Sequence, residues 1–500
     1  MYESTCEPVL HGSTSSFLRQ QWCRRLCRTH SPTPCICQHS SRCPLPWCTC
    51  PSCSRCSRRR SRSTRSRRRK IHSLKWRSIR SRLVMQTQSA SMGDRFIANY
   101  CAGREEHFAS QVTANWLADS AAAIDTQIDR NIADHQETRE AGPYTGPSGI
   151  AAALMQAVGV GLLSEERGAA IVRKYRNLIP TRVRQPVYLC GGLGDVVASL
   201  HLEADPAAGV QSVRGFLDYY LDDLLDERVA DEILYGRAGA LMAAKHAESL
   251  TGQSVLSEAS ARRLIEKLLA NGRKCARGDG ACVGGGEGGP PLMWCWHKTN
   301  YLGAAHGCAG VLQALLLHWA VLREEERAEI RRTAEWLRSI EERDCPGHWE
   351  SSAKLAASGR EKRLVHWCHG ATGMLGFLIT AHRVLGDAAY LEAAERAGEL
   401  IWREGVLKKG PGLCHGVGGN GLAMVQLYGA TGDERWLRRA KCFALMMMDR
   451  DVQRAQRTPD SPESLFEGWA GGLALLTGIV KAGSERKEAL NVFPFMSIVV

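Results

Sequence analysis

Two short segments of this chain carry the residue types that bind soft metal ions. One reads His366-Trp367-Cys368-His369-Gly370, the other Gly412-Leu413-Cys414-His415-Gly416. Two thiolates and one imidazole make a three-ligand zinc site with one coordination position open, as catalytic zinc requires. Ligation by all four of Cys368, His369, Cys414 and His415 would instead close the site and make it structural. A single Cys-His-Gly says little, because buried inert thiols and capping histidines read the same way. Two of them at matching places in a repeat point to metal.

The repeat that positions them is Gly-x-x-Gly followed at once by an apolar stretch. It begins at Gly146, Gly191, Gly236, Gly307, Gly370, Gly416 and Gly468 and is completed by Gly149, Gly194, Gly239, Gly310, Gly373, Gly419 and Gly471. Successive starts lie 45, 45, 71, 63, 46 and 52 residues apart, a period typical of repeat architectures. The segments after the motifs, such as Ile150 to Met155 and Val311 to Leu316, are too uniformly apolar for surface helices and suit helices buried on most sides. Amphipathic helices follow. Ile330, Leu337 and Ile340 recur at helical spacing in 323–340, as do Tyr390, Leu391, Ala394, Leu400 and Ile401 in 387–404, where Gly405 is the expected stop. Leu264, Ile265, Leu268 and Leu269 form another stripe. Strand-type alternation is scarce. The sequence therefore predicts an all-α fold of seven loop, inner-helix and outer-helix units. Closed into a seven-repeat α/α toroid, it would bring equivalent loops, and both Cys-His pairs, to one end. An open solenoid has the same period.

Charge and cysteine are both concentrated at the N-terminus. The 500 residues carry a net +13. Residues 1–92 hold 19 Lys and Arg against Glu3 and Glu7, a net of +17, which leaves −4 for the remainder. The globular part thus has no basic footprint for nucleic acid. Ten of the 20 cysteines lie between Cys6 and Cys56. The Arg-rich runs around Arg58-Arg59-Arg60 and Arg67-Arg68-Arg69-Lys70 repel themselves and bury no core, so 1–92 reads as a disordered Arg/Ser/Cys-rich extension, with Met92 as a candidate internal start. An organelle transit peptide is another reading of that composition, against which the many cysteines and prolines count, and a nucleic-acid or membrane tail is a further one. The sparse later cysteines fit a reducing compartment and a metal better than a disulfide framework. The longest apolar stretch, Ile150 to Leu163, is too short to span a bilayer, and no secretory signal is evident. A Gly-rich insertion at about 275–291 explains the long interval after Gly236.

At this level of detail the chain resembles the LanC-like proteins, eukaryotic relatives of bacterial lanthionine cyclases. The shared segments are Leu234-Tyr235-Gly236-Arg237-Ala238-Gly239, Tyr301-Leu302-Gly303-Ala304-Ala305-His306-Gly307, Leu364 to Gly370, Lys408 to Gly416 and Ser464-Leu465-Phe466-Glu467-Gly468. Arg95-Phe96-Ile97-Ala98-Asn99-Tyr100 and Phe493-Pro494-Phe495 are similar to family termini, so the resemblance covers about 93–500. The ending and Leu364 to Gly370 lean toward the third vertebrate-type branch. The resemblance implies a seven-repeat toroid with one zinc ion per chain, held by Cys368, Cys414 and His415 and not by His369. It also implies a cytoplasmic protein that adds the glutathione thiol to dehydroalanine or dehydrobutyrine in a peptide or protein.

Within that frame His306 is the proton donor or acceptor, a task suited to imidazole near neutral pH. Satisfying loop carbonyls is its other possible role. Glu232 takes the place of a carboxylate of the bacterial enzymes, with Asp231 as the adjacent candidate. Glutathione has two carboxylates, so cations are expected near the zinc. Lys409 matches one family contact, the run Arg457-Thr458-Pro459-Asp460 another, and Arg95 is a third candidate. Tyr235, Arg237 and Glu467 are candidates to line the same end. Cys190 reads as packing, and Tyr144-Thr145-Gly146 in the first repeat holds no metal-type residue. Peripheral membrane association through a lipid anchor is also implied for some relatives, although a start at Met92-Gly93 lacks the Ser or Thr of the acylation motif. A non-catalytic glutathione-binding adaptor uses the same residues. A glycosidase, the other chemistry hosted by α/α toroids, needs a carboxylate pair that the loops do not show.

Overall fold

The structure, a computed structural model, describes residues 95–134, 141–179, 185–278, 289–358, 363–484 and 490–496. The extension 1–92 lies outside the described residues, as do 279–288 of the Gly-rich insertion. The helices are α1 Glu105–Ala109, α2 Ala114–Asp134, α3 Pro147–Gly159, α4 Glu165–Tyr175, α5 Gly192–Ser199, α6 Pro206–Leu225, α7 Arg237–Thr251, α8 Glu258–Ala276 and α9 Cys308–Leu317. They continue as α10 Glu324–Ser339, α11 Ala353–Ser358, α12 Ala371–Leu385, α13 Ala388–Glu404, α14 Val417–Thr431, α15 Glu434–Met448, α16 Arg450–Ala455 and α17 Trp469–Ser484. Among the described residues, extended pairing is confined to isolated bridges.

Each Gly-x-x-Gly opens one of seven inner helices: α3, α5, α7, α9, α12, α14 and α17. Neighbours in this series pack on one another, and α17 returns to pack on α3. The ring is closed, which rules out the open solenoid. The inner helices are apolar all round because both flanks and the outer side are covered; every residue of α9 is buried. The outer layer is α4, α6, α8, α10, α13 and α15, each against the inner helix it follows. The seventh unit departs from the simple repeat. The outer helix against α17 is α2, supplied from the other end of the chain. The two termini of the ring thus complete one another.

The two layers start their helices differently. Outer helices α4, α6, α8, α13 and α15 have side-chain N-caps from Ser164, Asp205, Ser257, Asp387 and Asp433. Six of the inner helices, α3, α5, α7, α9, α12 and α14, begin on glycine with no side-chain cap. Their first N–H groups are taken up by the loop just traversed: Gly239 donates to the Glu232 carbonyl, Ala309 to Leu302, Gly373 to His366 and Gly419 to Gly412. This tight return explains the second glycine. A Cβ on Gly373 would stand 1.9 Å from the Trp367 carbonyl oxygen, and one on Gly419 equally close to that of Leu413. Among the described residues no helix is long and apolar enough to cross a membrane.

Candidate metal centre

The chemistry sits on the loops that precede the inner helices. The two positions before the first glycine of each motif carry Tyr144-Thr145, Leu189-Cys190, Leu234-Tyr235, Ala305-His306, Cys368-His369, Cys414-His415 and Phe466-Glu467. A belt of backbone hydrogen bonds ties these loops together. Ile233 N–H donates to the Ala305 carbonyl at 3.1 Å, Trp367 to Cys414 at 2.7 Å, Cys414 to Phe466 at 2.8 Å, Phe466 to Tyr144 at 3.1 Å and Tyr144 to Leu189 at 2.9 Å. Because the belt uses main-chain groups, the side chains at these positions are free to vary chemically from repeat to repeat.

Cys368, Cys414 and His415 present ligand atoms within 4.8 Å of one another. In a tetrahedral site with Zn–S bonds of ~2.3 Å, ligand atoms stand roughly 3.8 Å apart, so a contraction of at most about 1 Å would seat zinc. The donor set fits a borderline-soft ion. His369 is not in this group; its ring packs against Tyr301 at 5.1 Å and lies 6.2 Å from His306. Gly370, at φ +113, makes the turn into the inner helix, and a Cβ there would overlap the Leu364 carbonyl. The hydrogen bond with the Cys414 thiol, helped by the nearby Lys409 ammonium, holds the Cys368 thiol below its ordinary value. Burial pushes the Cys414 thiol up. The thiolate is the form a metal binds.

His306 and Glu232 form a second constellation. His306 Nδ1 lies 2.6 Å from Glu232 Oε2. Glu232 is buried and also accepts the backbone N–H groups of Leu234 and Tyr235. A carboxylate so held keeps the proton on Nδ1 and leaves Nε2 for exchange. Asp231, the adjacent candidate, faces elsewhere: it pairs with Arg237 at 2.7 Å and with Asn271. Arg237 is fully buried and also donates to the carbonyls of Val229 and Asp226. It ties its loop together and does not line the mouth.

The cationic residues come from three chain segments stitched by main-chain bonds. Ile97 N–H donates to the Val406 carbonyl, Lys408 to Arg95, and Arg457 to Lys408. Arg95, Lys409 and Arg457 thereby converge on the loop that leads to Cys414. All three are exposed, as are Thr458 and Asp460, while Pro459 is half-buried against Gly410. Arg95 donates to the Arg363 carbonyl. Lys409 and Arg457 have no ion-pair partner among the described residues.

Two neighbours were not singled out by sequence. Tyr144 holds the place in its loop that Cys368 and Cys414 hold in theirs. Its ring stacks on Phe466 at 4.7 Å. Burial, with the two thiols next, pushes its phenol far above the usual range. Register within the repeat was the signal that marks it. Trp296 stacks on His306 at 5.6 Å; it lies outside the repeat motif, and no pattern marks it. Cys190 hydrogen-bonds the Tyr235 phenol, which raises that phenol less than burial does; it is not part of the ligand group. Among the described cysteines, Cys295 is disulfide-bonded, and Cys101, Cys190, Cys275, Cys308, Cys345, Cys368, Cys414 and Cys442 are not in disulfides.

Comparison with known proteins gives the family and the fold. Residues 137–492 match the family model described as lanthionine synthetase C-like protein. Zebrafish (Danio rerio) glutathione S-transferase LANCL1 is 28% identical over 397 residues, 77% of this chain and 92% of the relative. Arabidopsis thaliana LanC-like protein GCL1 is 32% identical over 335 residues, covering 62% of this chain and 72% of the relative. The solved structure of nisin cyclase superposes with a TM-score of 0.54 at 14% identity, over 73% of this chain and 95% of that one, and shares its fold. The closed helical ring, the glycine-opened inner helices and the matched length place this chain in the lanthionine synthetase C-like family.

Proposed function

We propose that this chain holds one zinc ion through Cys368, Cys414 and His415 and adds the thiol of glutathione to a dehydroalanine or dehydrobutyrine residue of a peptide or protein. The observation that carries the reading is the convergence of those three ligand atoms within 4.8 Å. The relative whose name is glutathione S-transferase LANCL1 supports the choice of thiol. Zinc, when bound, supplies the Lewis acidity that lets a thiol lose its proton at neutral pH.

The chain's own groups do the rest. Arg95, Lys409 and Arg457 meet the carboxylates of glutathione, while Asp460 meets its ammonium group and Thr458 and Pro459 shape the same edge. Addition forms a C–S bond at the β-carbon, opens the C=C bond and leaves a carbanion that takes a proton at the α-carbon. No electrons are exchanged with an outside agent. His306 delivers that proton from Nε2, while Glu232 holds the ring by Nδ1 and stabilises it when charged. Glu232 is thus a positioning residue, and His306 the catalytic one. Tyr144, level with the two thiols, borders the same space.

Mass spectrometry of an incubation with glutathione and a dehydroalanine peptide tests this. The wild-type chain is expected to copurify with zinc and to give the adduct. Cys414→Ala is expected to lose both. Glutathione binding with no adduct from any such acceptor would overturn the enzyme reading and favour the adaptor.

A further inference from the structure

We propose that Trp296 is a positioning residue for His306. The inference rests on the reading of His306 as the proton carrier. The indole of Trp296 lies in a three-ring stack. Its centroid is 5.8 Å from the Tyr235 ring at an interplanar angle of 12°, and 5.6 Å from the His306 ring at 13°. The indole thus runs nearly parallel to two side chains of the glycine-opened loops. Glu232 restrains His306 through Nδ1, and the Tyr301 and His369 rings meet it only at a tilt, at 6.1 and 6.2 Å, so rocking about that one hydrogen bond is weakly opposed. A near-parallel aromatic neighbour restricts this freedom.

The backbone that carries Trp296 is built to present it. Trp296 N–H donates to the Thr299 carbonyl at 2.9 Å and Thr299 N–H returns the bond at 3.0 Å. The two residues between them, His297 and Lys298, both have positive φ, 47° and 62°. That is a two-residue hairpin turn of the kind that favours Asn-Gly, here made by residues that adopt it reluctantly. Left-handed backbone at such residues persists only where the surroundings hold it, and such strain gathers at functional sites. The His297 ring packs edge-on against the indole at 4.2 Å, so the turn braces the tryptophan from its own tip.

The test compares Trp296→Ala and Trp296→Phe with the wild-type holoprotein. One readout is the 15N spectrum of histidine-labelled protein, with His306 assigned from His306→Gln. The wild type is expected to show a single Nδ1-protonated tautomer for His306. Trp296→Ala should shift or broaden that resonance, and Trp296→Phe should restore it, both at unchanged zinc content. The second readout is turnover. Trp296→Ala is expected to lower kcat about tenfold, part of the ~10²–10⁴ that a placed acid–base group contributes, with KM for glutathione unchanged. An unaltered His306 resonance in Trp296→Ala overturns the proposal whatever the turnover. Equal losses in the alanine and phenylalanine variants overturn it too. Absence of turnover in the wild type instead refutes the proposed function, and the tautomer readout then decides the role of Trp296 alone.

Discussion

At the scale of single residues, the mouth of the site is marked by charges that are not internally neutralised. Arginines of the outer layer such as Arg262, Arg396 and Arg439 are paired with glutamates. Lys409 and Arg457 have no such partner among the described residues, although main-chain bonds join 95–97, 406–408 and 457 and Lys409 lies near the Cys368 thiol. Exposed ion pairs contribute little on their own, but two cations that meet one dicarboxylate share the gain. Lys409→Met and Arg457→Met are each expected to raise the Kd for glutathione about threefold to tenfold, with the double variant worse than either and zinc content unchanged. Isothermal titration at low and high salt checks this. A loss that does not shrink with salt would contradict an electrostatic origin.

At the scale of elements, the loop and the inner helix it opens behave as one unit. In the fifth repeat the loop carries Cys368, and α12 begins where Gly373 lies against the Trp367 carbonyl. A methyl group there meets backbone on one side and the Ala304 side chain on the other, with nothing flexible to yield. Gly373→Ala is expected to cost about 3 kcal/mol or more and to displace the Cys368 loop. The measurement is denaturant unfolding together with zinc stoichiometry. Gly386→Ala is the control: it caps the far end of the same helix at φ +73 with open space around it, and should lose stability with zinc retained. Asn420 reinforces the unit from α14. It is buried and bonded to Thr372 and to the Val365 and Gly405 carbonyls, so two neighbouring repeats share one polar anchor.

At the scale of the molecule, closure changes how the fold responds to damage. In an open solenoid the terminal repeats fray, and trimming them costs little elsewhere. Here α2 covers α17, α17 packs on α3, and α1 packs on α15. The last described segment joins the same core, with Leu490, Val492, Phe493, Phe495 and Met496 buried and Tyr188 donating to the Phe495 carbonyl at 2.9 Å. Removal of residues 1–134 is therefore expected to abolish the cooperative thermal transition, whereas removal of 1–92 alone is expected to leave it. Differential scanning calorimetry of the two truncations checks this. A sharp, little-shifted transition after loss of α2 would refute the idea that the chain's ends lock the ring.

Much of this protein is written locally. Glycine periodicity marked all seven inner helices, because each tight return needs a residue without a Cβ. Apolar spacing found α8, α10 and α13, because a helix that buries one face must repeat at about 3.6 residues per turn. The Cys-His pairs stood out because thiolates and imidazoles side by side are the donors a soft metal uses. Three features waited for the tertiary structure. Closure depended on the small rotation between successive units, which no period records. The exchange of α2 into the seventh unit joined residues more than 300 positions apart. The choice of Glu232 over Asp231, and the stack of Trp296 on His306, turned on side-chain directions in loops, where adjacent letters diverge and chain distance says nothing about contact.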